Sequence, residues 1–354
     1  MSITLQAKNE REFPGTVRGS LVLGNYLYVM SDILYRVQID DNNMGEPEPM
    51  NEVILPGFIC TDGKFIYVTG RTHPDSNTIC RVTIIDSEDF SIEHQHDIHG
   101  VGERIRKTMC DTMGFFHMAA TIGAGFFPSH GWWIYKYDPI LKSFTNVQGG
   151  GSGGRSINSI EQIEDKFVLS GYYTTQDVFH HRVYSWDGSN RSRLRTIHIQ
   201  GDRLTSFEDK IISVISTSAY NRRIAIYNLD KDNNLLEITQ NNYTVTNTST
   251  YNVIVNIVSD GDYIYYIRRV DSRLYIVNNI NNILSTNSIL TFPEIFINTN
   301  IEGRDLQNML TLGNNRLYVS NGNKIYILAW AVSARIEASV TSGRAPLPVT
   351  FRAV

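Results

Sequence analysis

One unit recurs seven times along the chain, and few architectures can absorb that recurrence. Its first segment reads Tyr26-Leu27-Tyr28-Val29, Phe65-Ile66-Tyr67-Val68, Phe115-Phe116-His117-Met118 and Phe167-Val168-Leu169-Ser170, then Ile211-Ile212-Ser213-Val214, Tyr263-Ile264-Tyr265-Tyr266 and Arg316-Leu317-Tyr318-Val319. Each copy follows a turn signal: Gly24-Asn25, Asp62-Gly63, Met113-Gly114, Glu164-Asp165, Glu208-Asp209, Asp260-Gly261 or Gly313-Asn314. Glycine and asparagine in such dipeptides tolerate the positive φ of tight hairpins. A second segment follows each first one, as Leu34-Tyr35-Arg36-Val37, Ile79-Cys80-Arg81-Val82, Ile134-Tyr135-Lys136-Tyr137 and Val183-Tyr184-Ser185-Trp186. Its last three copies are Ile224-Ala225-Ile226-Tyr227, Leu274-Tyr275-Ile276-Val277 and Ile325-Tyr326-Ile327-Leu328. Copies stand roughly 40 to 50 residues apart, the period of propeller blades. Both segments are apolar at nearly every position, as when each small sheet is sandwiched between two others. Helical periodicity is missing throughout.

This spacing predicts an all-β fold, a seven-bladed β-propeller over residues 1–332. A pair of stacked sheets is the alternative, because strand spacing alone does not separate the two. A ring also needs closure, since an open end leaves an unpaired edge. The seventh copy supplies only inner strands before the chain moves on after Trp330. Ile3-Thr4-Leu5-Gln6-Ala7 has no other evident partner, so the N-terminal strand is expected to close the last blade.

Composition agrees and narrows the function. Tyrosine and asparagine are frequent, suiting half-buried strands and the turns between them. A net charge of -4 with no basic run leaves no electrostatic footprint for nucleic acid. No segment approaches the ~20 apolar residues that span a bilayer. The first residues, Met1-Ser2-Ile3-Thr4-Leu5-Gln6, lack the basic and apolar regions of a secretory signal. Cys60, Cys80 and Cys110 are an odd set without CxxC spacing and read as small buried hydrophobes in a reducing compartment. Asn190, Asn242 and Asn247 begin glycosylation-type triplets, which carry little weight without a signal peptide.

The runs Phe65-Ile66-Tyr67-Val68-Thr69-Gly70 and Arg223-Ile224-Ala225-Ile226-Tyr227-Asn228-Leu229 resemble seven-bladed propellers of the YVTN or surface-layer repeat class. WD-repeat, kelch and quinoprotein signatures are missing; Trp186-Asp187 occurs once without its Gly-His partner. In residues 333–354, the run from Ala338 to Phe351 (ASVTSGRAPLPVTF) looks like the opening strand of a PKD-type immunoglobulin-like domain. That second resemblance implies display outside a cell. Joined to the lack of a signal, it points to a phage-like particle assembled in the cytoplasm and released by lysis.

Loops between the second and third strands of a blade share a face with the connections between blades. Thr69 to Asn77, Ala119 to Gly131 and Gly171 to His181 are expected to be long loops there, beside the glycine-rich run from Gly149 to Ser156. One sector of that face would carry Phe126, Phe127, His130, Trp132, Tyr172, Tyr173, Phe179, His180 and His181, with His73 nearby. Aromatics on a rigid scaffold offer stacking surfaces for sugars or anchors for proteins. The same residues also suit a small core holding the loops down. The histidines lack tight ligand spacing and nearby carboxylates, so no metal site is assigned. His94-x-His96-x-x-His99 reads as solvated, since alternate strand positions give two ligands on one face without a third. His117, in the column of Tyr28, Tyr67, Tyr265 and Tyr318, reads as packing. The glycine run lacks the Lys-Ser/Thr ending and following helix of a phosphate cradle. There is no GxSxG elbow, and Asp111, Asp177 and Glu302 cannot be paired from sequence.

These readings favour a non-catalytic recognition or structural propeller on a virion or cell surface. Its partners would be other structural proteins of a particle, and glycan or a host-surface protein. No catalytic residue, metal or cofactor is assigned, and neither nucleic acid nor membrane insertion is expected. The alternative is a lactonase- or lyase-like propeller enzyme with its site at the central channel. Such an enzyme should place carboxylates at matching positions of its innermost strands. The stretches Val17 to Val22, Gly57 to Thr61, Ser156 to Ile163 and Val253 to Val258 show no recurrence of that kind.

Overall fold

Apolar side chains on both faces of a short sheet must be covered on both faces, and a closed ring of sheets does this without leaving an end. A computed structural model of the chain has that form. It describes residues 2–50, 55–71, 79–99, 101–122, 129–149, 156–173, 178–198, 201–217, 221–246, 254–268, 273–291, 309–333, 336–338 and 351–353. Among them every regular element is a strand, and the fold is a seven-bladed β-propeller.

Each blade is an antiparallel meander numbered here from the axis outward. Blade 1 runs Gly19–Leu23, Tyr26–Met30 and Leu34–Asp40, with Asn43–Met44 and Glu48–Pro49 sharing its outer edge. Blade 2 is Leu55–Thr61, Phe65–Arg71, Ile79–Asp86 and Ile92–His99; blade 3 is Val101–Cys110, Phe115–Ile122, Ser129–Asp138 and Ser143–Gln148. Blade 4 is Ser156–Ile163, Lys166–Tyr173, Val178–Trp186 and Arg191–Ile197. Blade 5 is Gly201–Phe207, Lys210–Ser216 and Asn221–Leu229, its outer edge shared by Leu235–Glu237 and Tyr243–Thr246. Blade 6 is Ile254–Ser259, Tyr263–Arg268, Arg273–Ile280 and Ile283–Thr291.

Blade 7 takes Leu310–Gly313, Arg316–Asn321 and Lys324–Ser333 from the end of the ring and Ser2–Glu12 from its start. Ser2 lies opposite Ser333 and Glu12 opposite Lys324, so the N-terminal strand closes the last blade as expected. The chain then crosses to the axis. The Phe13 amide donates to the Asn323 carbonyl and the Val17 amide to the Gly322 carbonyl, both at 2.7 Å.

The core is divided among the blade interfaces. Leu27, Val29 and Val37 of blade 1 pack on Tyr318, Ile325 and Ile327 of blade 7. Tyr265, Ile267 and Ile276 of blade 6 pack on Leu317, Val319, Leu328 and the N-terminal Leu5. Five further clusters fill the remaining interfaces. Packing thus takes the place of a backbone ladder between sheets.

The structure shifts the repeat by one residue in two blades. Ile163 pairs with Lys166 and Phe207 with Lys210 across two-residue turns, as Leu23 pairs with Tyr26 in blade 1. The column is therefore Tyr28, Tyr67, His117, Val168, Ile212, Tyr265 and Tyr318, with Val168 and Ile212 where the sequence alignment had Leu169 and Ser213. A strand buried on both faces has no polar alternation to set its register. At the C-terminus, Ile336–Ala338 pairs antiparallel with Phe351–Ala353; most of the PKD-like run lies outside the described residues.

Candidate functional site: a raised rim and an axial polar cluster

The face carrying the connections between blades is uneven, and hairpin length makes it so. Past the column, the second strand of blade 1 continues two residues to Met30. In blades 3 and 4 it continues five, from His117 to Ile122 and from Val168 to Tyr173. The ladders hold to the ends, with Ile122 opposite Ser129 and Tyr173 opposite Val178. At ~3.3 Å per residue these hairpins stand about 10 Å taller than that of blade 1. Residues 119–122, 129–131, 171–173 and 178–181, which the sequence suggested as loop, are therefore strand.

The expected patch residues separate into three groups. Phe126, Phe127 and His73 lie outside the described residues. His130, Tyr172, Tyr173, Phe179 and His180 occupy the rim ends of these strands: His130 lies opposite Thr121, Tyr172 opposite Phe179, and His180 opposite Gly171. Trp132 and His181 lie lower and are fully buried, so they belong to the core rather than to a stacking surface. Strand alternation and the descent into the ladder decide this, and loop composition could not reveal it. His181 Nε2 lies 2.9 Å from Ser213 Oγ of blade 5.

Trp132 belongs to a buried relay. Its indole Nε1–H donates to His117 Nδ1 at 3.1 Å, which leaves Nε2 to carry the ring proton and donate to Asp111 Oδ2 at 2.9 Å. Asp111 Oδ1 accepts the amides of Met113 and Phe115 in the turn. His117 stacks on Phe167 of blade 4, ring centroids 4.6 Å apart, while the Arg191 guanidinium covers Trp132 at 4.7 Å. Burial is the main cause that lowers the His117 pKa, and the Asp111 carboxylate opposes it in part. A sealed carboxylate–imidazole pair of this kind holds a turn to a strand. In blade 6 Asp260 Oδ2 accepts Tyr265 Oη–H at 2.7 Å, and Trp330 Nε1–H donates to the same hydroxyl at 3.1 Å. Blade 2 repeats the first half, Tyr67 Oη–H to Asp62 Oδ2 at 2.8 Å.

At the axis three consecutive innermost strands meet on one carboxylate. Lys107 Nζ of blade 3 lies 3.0 Å from Glu161 Oε1 of blade 4. Ser206 Oγ–H of blade 5 donates to Glu161 Oε2 at 3.1 Å. Side-chain exposures of 26% for Lys107 and 12% for Glu161 keep the pair in touch with solvent. Both carboxylate oxygens are satisfied, so the cluster ties the blades together. Sequence reasoning sought a repeated acid and missed this single one. The usable signal was a glutamate within Ser159-Ile160-Glu161-Gln162-Ile163, a strand expected to be covered on both sides. Among the described residues, no three His, Cys, Asp or Glu side chains gather as metal ligands would.

His94 and His96 are not simply solvated. His94 stacks on Tyr137 at 5.9 Å and His96 packs edge-on against Phe144 at 5.5 Å, both across the blade 2–3 interface. Burial lowers the His96 pKa.

No family model matches the sequence, and no curated protein does. Solved structures do match. The β-propeller domain of Cps50 (Swd1) from Myceliophteria thermophila has a TM-score of 0.60 at 10% identity, covering 93% of this chain and 100% of that one. A chain of a mitotic checkpoint complex has a TM-score of 0.60 at 11% identity, over 93% of this chain and 95% of that one. A candidate 6-phosphogluconolactonase from Bacteroides uniformis has a TM-score of 0.54 at 13% identity, over 76% and 82%. Likeness at this identity is likeness of fold.

Proposed function

We propose that this chain is a non-catalytic recognition or structural propeller. In this reading it is displayed on a virion, as a tail or capsid appendage, or on a cell surface, and binds glycan or protein through the rim of blades 2 to 4. The observation that carries the reading is the height of the blade 3 and 4 hairpins. Paired strands rising about 10 Å above blade 1, with Tyr172, Tyr173 and His180 at the end of the blade 4 ladder, support a raised edge that a ligand would meet first. The resemblances to surface-layer-type repeats and to a PKD-type strand support display, and the neighbour taken from a mitotic checkpoint complex fits a role within an assembly.

A glycan array and co-purification of particle proteins, run with Tyr172→Ala, Tyr173→Ala and His180→Ala, test the rim. Loss of binding by tenfold or more at an unchanged melting temperature is expected. Equal binding by all three variants and the parent would remove the rim from consideration. Trp132 is unsuitable for this purpose, since Trp132→Ala would cost roughly 3–5 kcal/mol of core packing.

The enzyme reading keeps one observation in its favour, the meeting of Glu161, Lys107 and Ser206 at the axis. Lactone hydrolysis by the parent that is abolished in Glu161→Gln would replace the recognition reading.

A further inference from the structure

Adjacent blades are separate sheets, with no ladder joining blade 2 to blade 3 among the described residues. Their innermost strands nonetheless run side by side. Cys60 sits at the turn-side end of one, opposite Tyr67, and Cys110 at the same end of the other, opposite Phe116. Their Sγ atoms are 3.7 Å apart, at thiol–thiol contact distance. The third cysteine, Cys80, lies on the third strand of blade 2 opposite Arg71, towards the other face. Cys60 and Cys80 are buried, whereas Cys110 is partly buried.

We propose that Cys60 and Cys110 are a redox-active pair that closes to an inter-blade disulfide, with Cys80 left free. The closing reagent is a small-molecule disulfide. One cysteine thiolate attacks it to give a mixed disulfide and releases the first small thiol. The second cysteine thiolate then attacks the protein sulfur, forms the Cys60–Cys110 bond and expels the second small thiol. The protein loses two electrons and two protons, and the reagent gains both.

Two features shape when this happens. Cys110 is the less buried residue of the pair, so a reagent reaches it more readily than Cys60. Burial, the neighbouring Cys60 and the carboxylates of Asp62 and Asp111 push the Cys110 thiol up, which keeps thiolate scarce in the closed ring. Closure is therefore fastest while blades 2 and 3 are coming together. A protein folded in a reducing compartment keeps all three thiols, and one refolded under oxidising conditions carries the staple.

The test is refolding of the full chain in a buffer of oxidised and reduced glutathione, followed by alkylation in denaturant and peptide mass mapping. The expected result is alkylation of Cys80 alone, with a cross-linked peptide containing Cys60 and Cys110 that lacks two hydrogens. Cys80→Ser should keep the link, while Cys60→Ser and Cys110→Ser should each leave two alkylatable cysteines. Excess reductant should lower the melting temperature of the parent and of Cys80→Ser only. Alkylation of all three cysteines in refolded protein of native circular dichroism would overturn the proposal, and so would a link that includes Cys80. If the Cys60 or Cys110 variants fail to fold, the parent and Cys80→Ser decide the question.

Discussion

The column residues show how one position in the repeat can be filled by different chemistry. Tyr67 and Tyr265 donate to the turn aspartates Asp62 and Asp260, Tyr28 donates to the Ser87 carbonyl at 3.0 Å, and His117 reaches Asp111. Tyr318 follows the turn residues Asn314 and Asn315, and its buried hydroxyl has no partner among the described residues. Tyr265→Phe strands both Asp260 and Trp330 and should cost about 1–3 kcal/mol. Tyr318→Phe leaves nothing stranded and should be neutral or slightly stabilising. Urea unfolding of the two variants checks the contrast; equal losses would refute it. His117 adds a pH dependence. Because burial lowers its pKa in the fold, the unfolded chain takes the proton first on acidification. The stabilisation it contributes is complete above about pH 6.5, the unfolded value, and declines as pH falls from there towards the lower folded value. Melting temperature should therefore drop over that window. His117→Tyr, which installs the residue used in blades 2 and 6, should flatten the drop.

Among the elements, turns and bulges carry most of the specification. Thr61-Asp62-Gly63 and Ser259-Asp260-Gly261 build the same turn: the hydroxyl accepts the glycine amide and donates to the carbonyl of Phe65 or Tyr263. Gly63 and Gly261 have φ of 96° and 98°, in the region that favours glycine. A Cβ on Gly63 would meet nothing within 4 Å, whereas one on Gly261 would lie 2.2 Å from the Phe207 ring of blade 5. Gly63→Ala should cost roughly 1 kcal/mol of backbone strain, and Gly261→Ala roughly 1–2 kcal/mol more, because the ring must move. Thermal unfolding of the pair measures the difference. Innermost strands of blades 2 to 6 each carry a register shift past the column, at Gly57, Arg106, Asn158, Asp202 and Val255. Blades 1 and 7 have none; their innermost ladders stop short of that point, at Gly19–Met30 and Leu310–Val319. An extra residue raises local twist, which lets the taller sheets continue upward beside their neighbours.

For the whole molecule, closure is the dominant constraint. Without Ser2–Glu12, Lys324–Ser333 becomes an edge strand, and Leu5 leaves the blade 6–7 core. Deletion of residues 1–12 should lower stability on the order of 5 kcal/mol, a large share of a typical domain's total. It should also favour association through the exposed edge. A synthetic peptide of residues 1–13 added in trans should restore the urea midpoint. A deletion variant with an unchanged midpoint would refute the role of the strand in closure.

By itself the sequence determined the all-β class, the sevenfold count, the turn positions and the partner of the N-terminal strand. Each rests on local chemistry: paired apolar segments, residues suited to hairpin turns, and one strand left over. The column role of His117 was legible for the same reason, from its place beside tyrosines in the repeat. Only the tertiary structure decided the register of blades 4 and 5, because Phe167-Val168-Leu169 and Ile211-Ile212 are apolar on both faces and carry no marker of direction. It alone placed Trp132 and His181 in the core and left Tyr172, Tyr173 and His180 at the rim, since that depends on where a ladder ends. It alone brought Lys107, Glu161 and Ser206 together, and Cys60 within contact of Cys110. Residues about 50 positions apart, one blade period, become neighbours only when successive blades pack, and no local pattern encodes that distance.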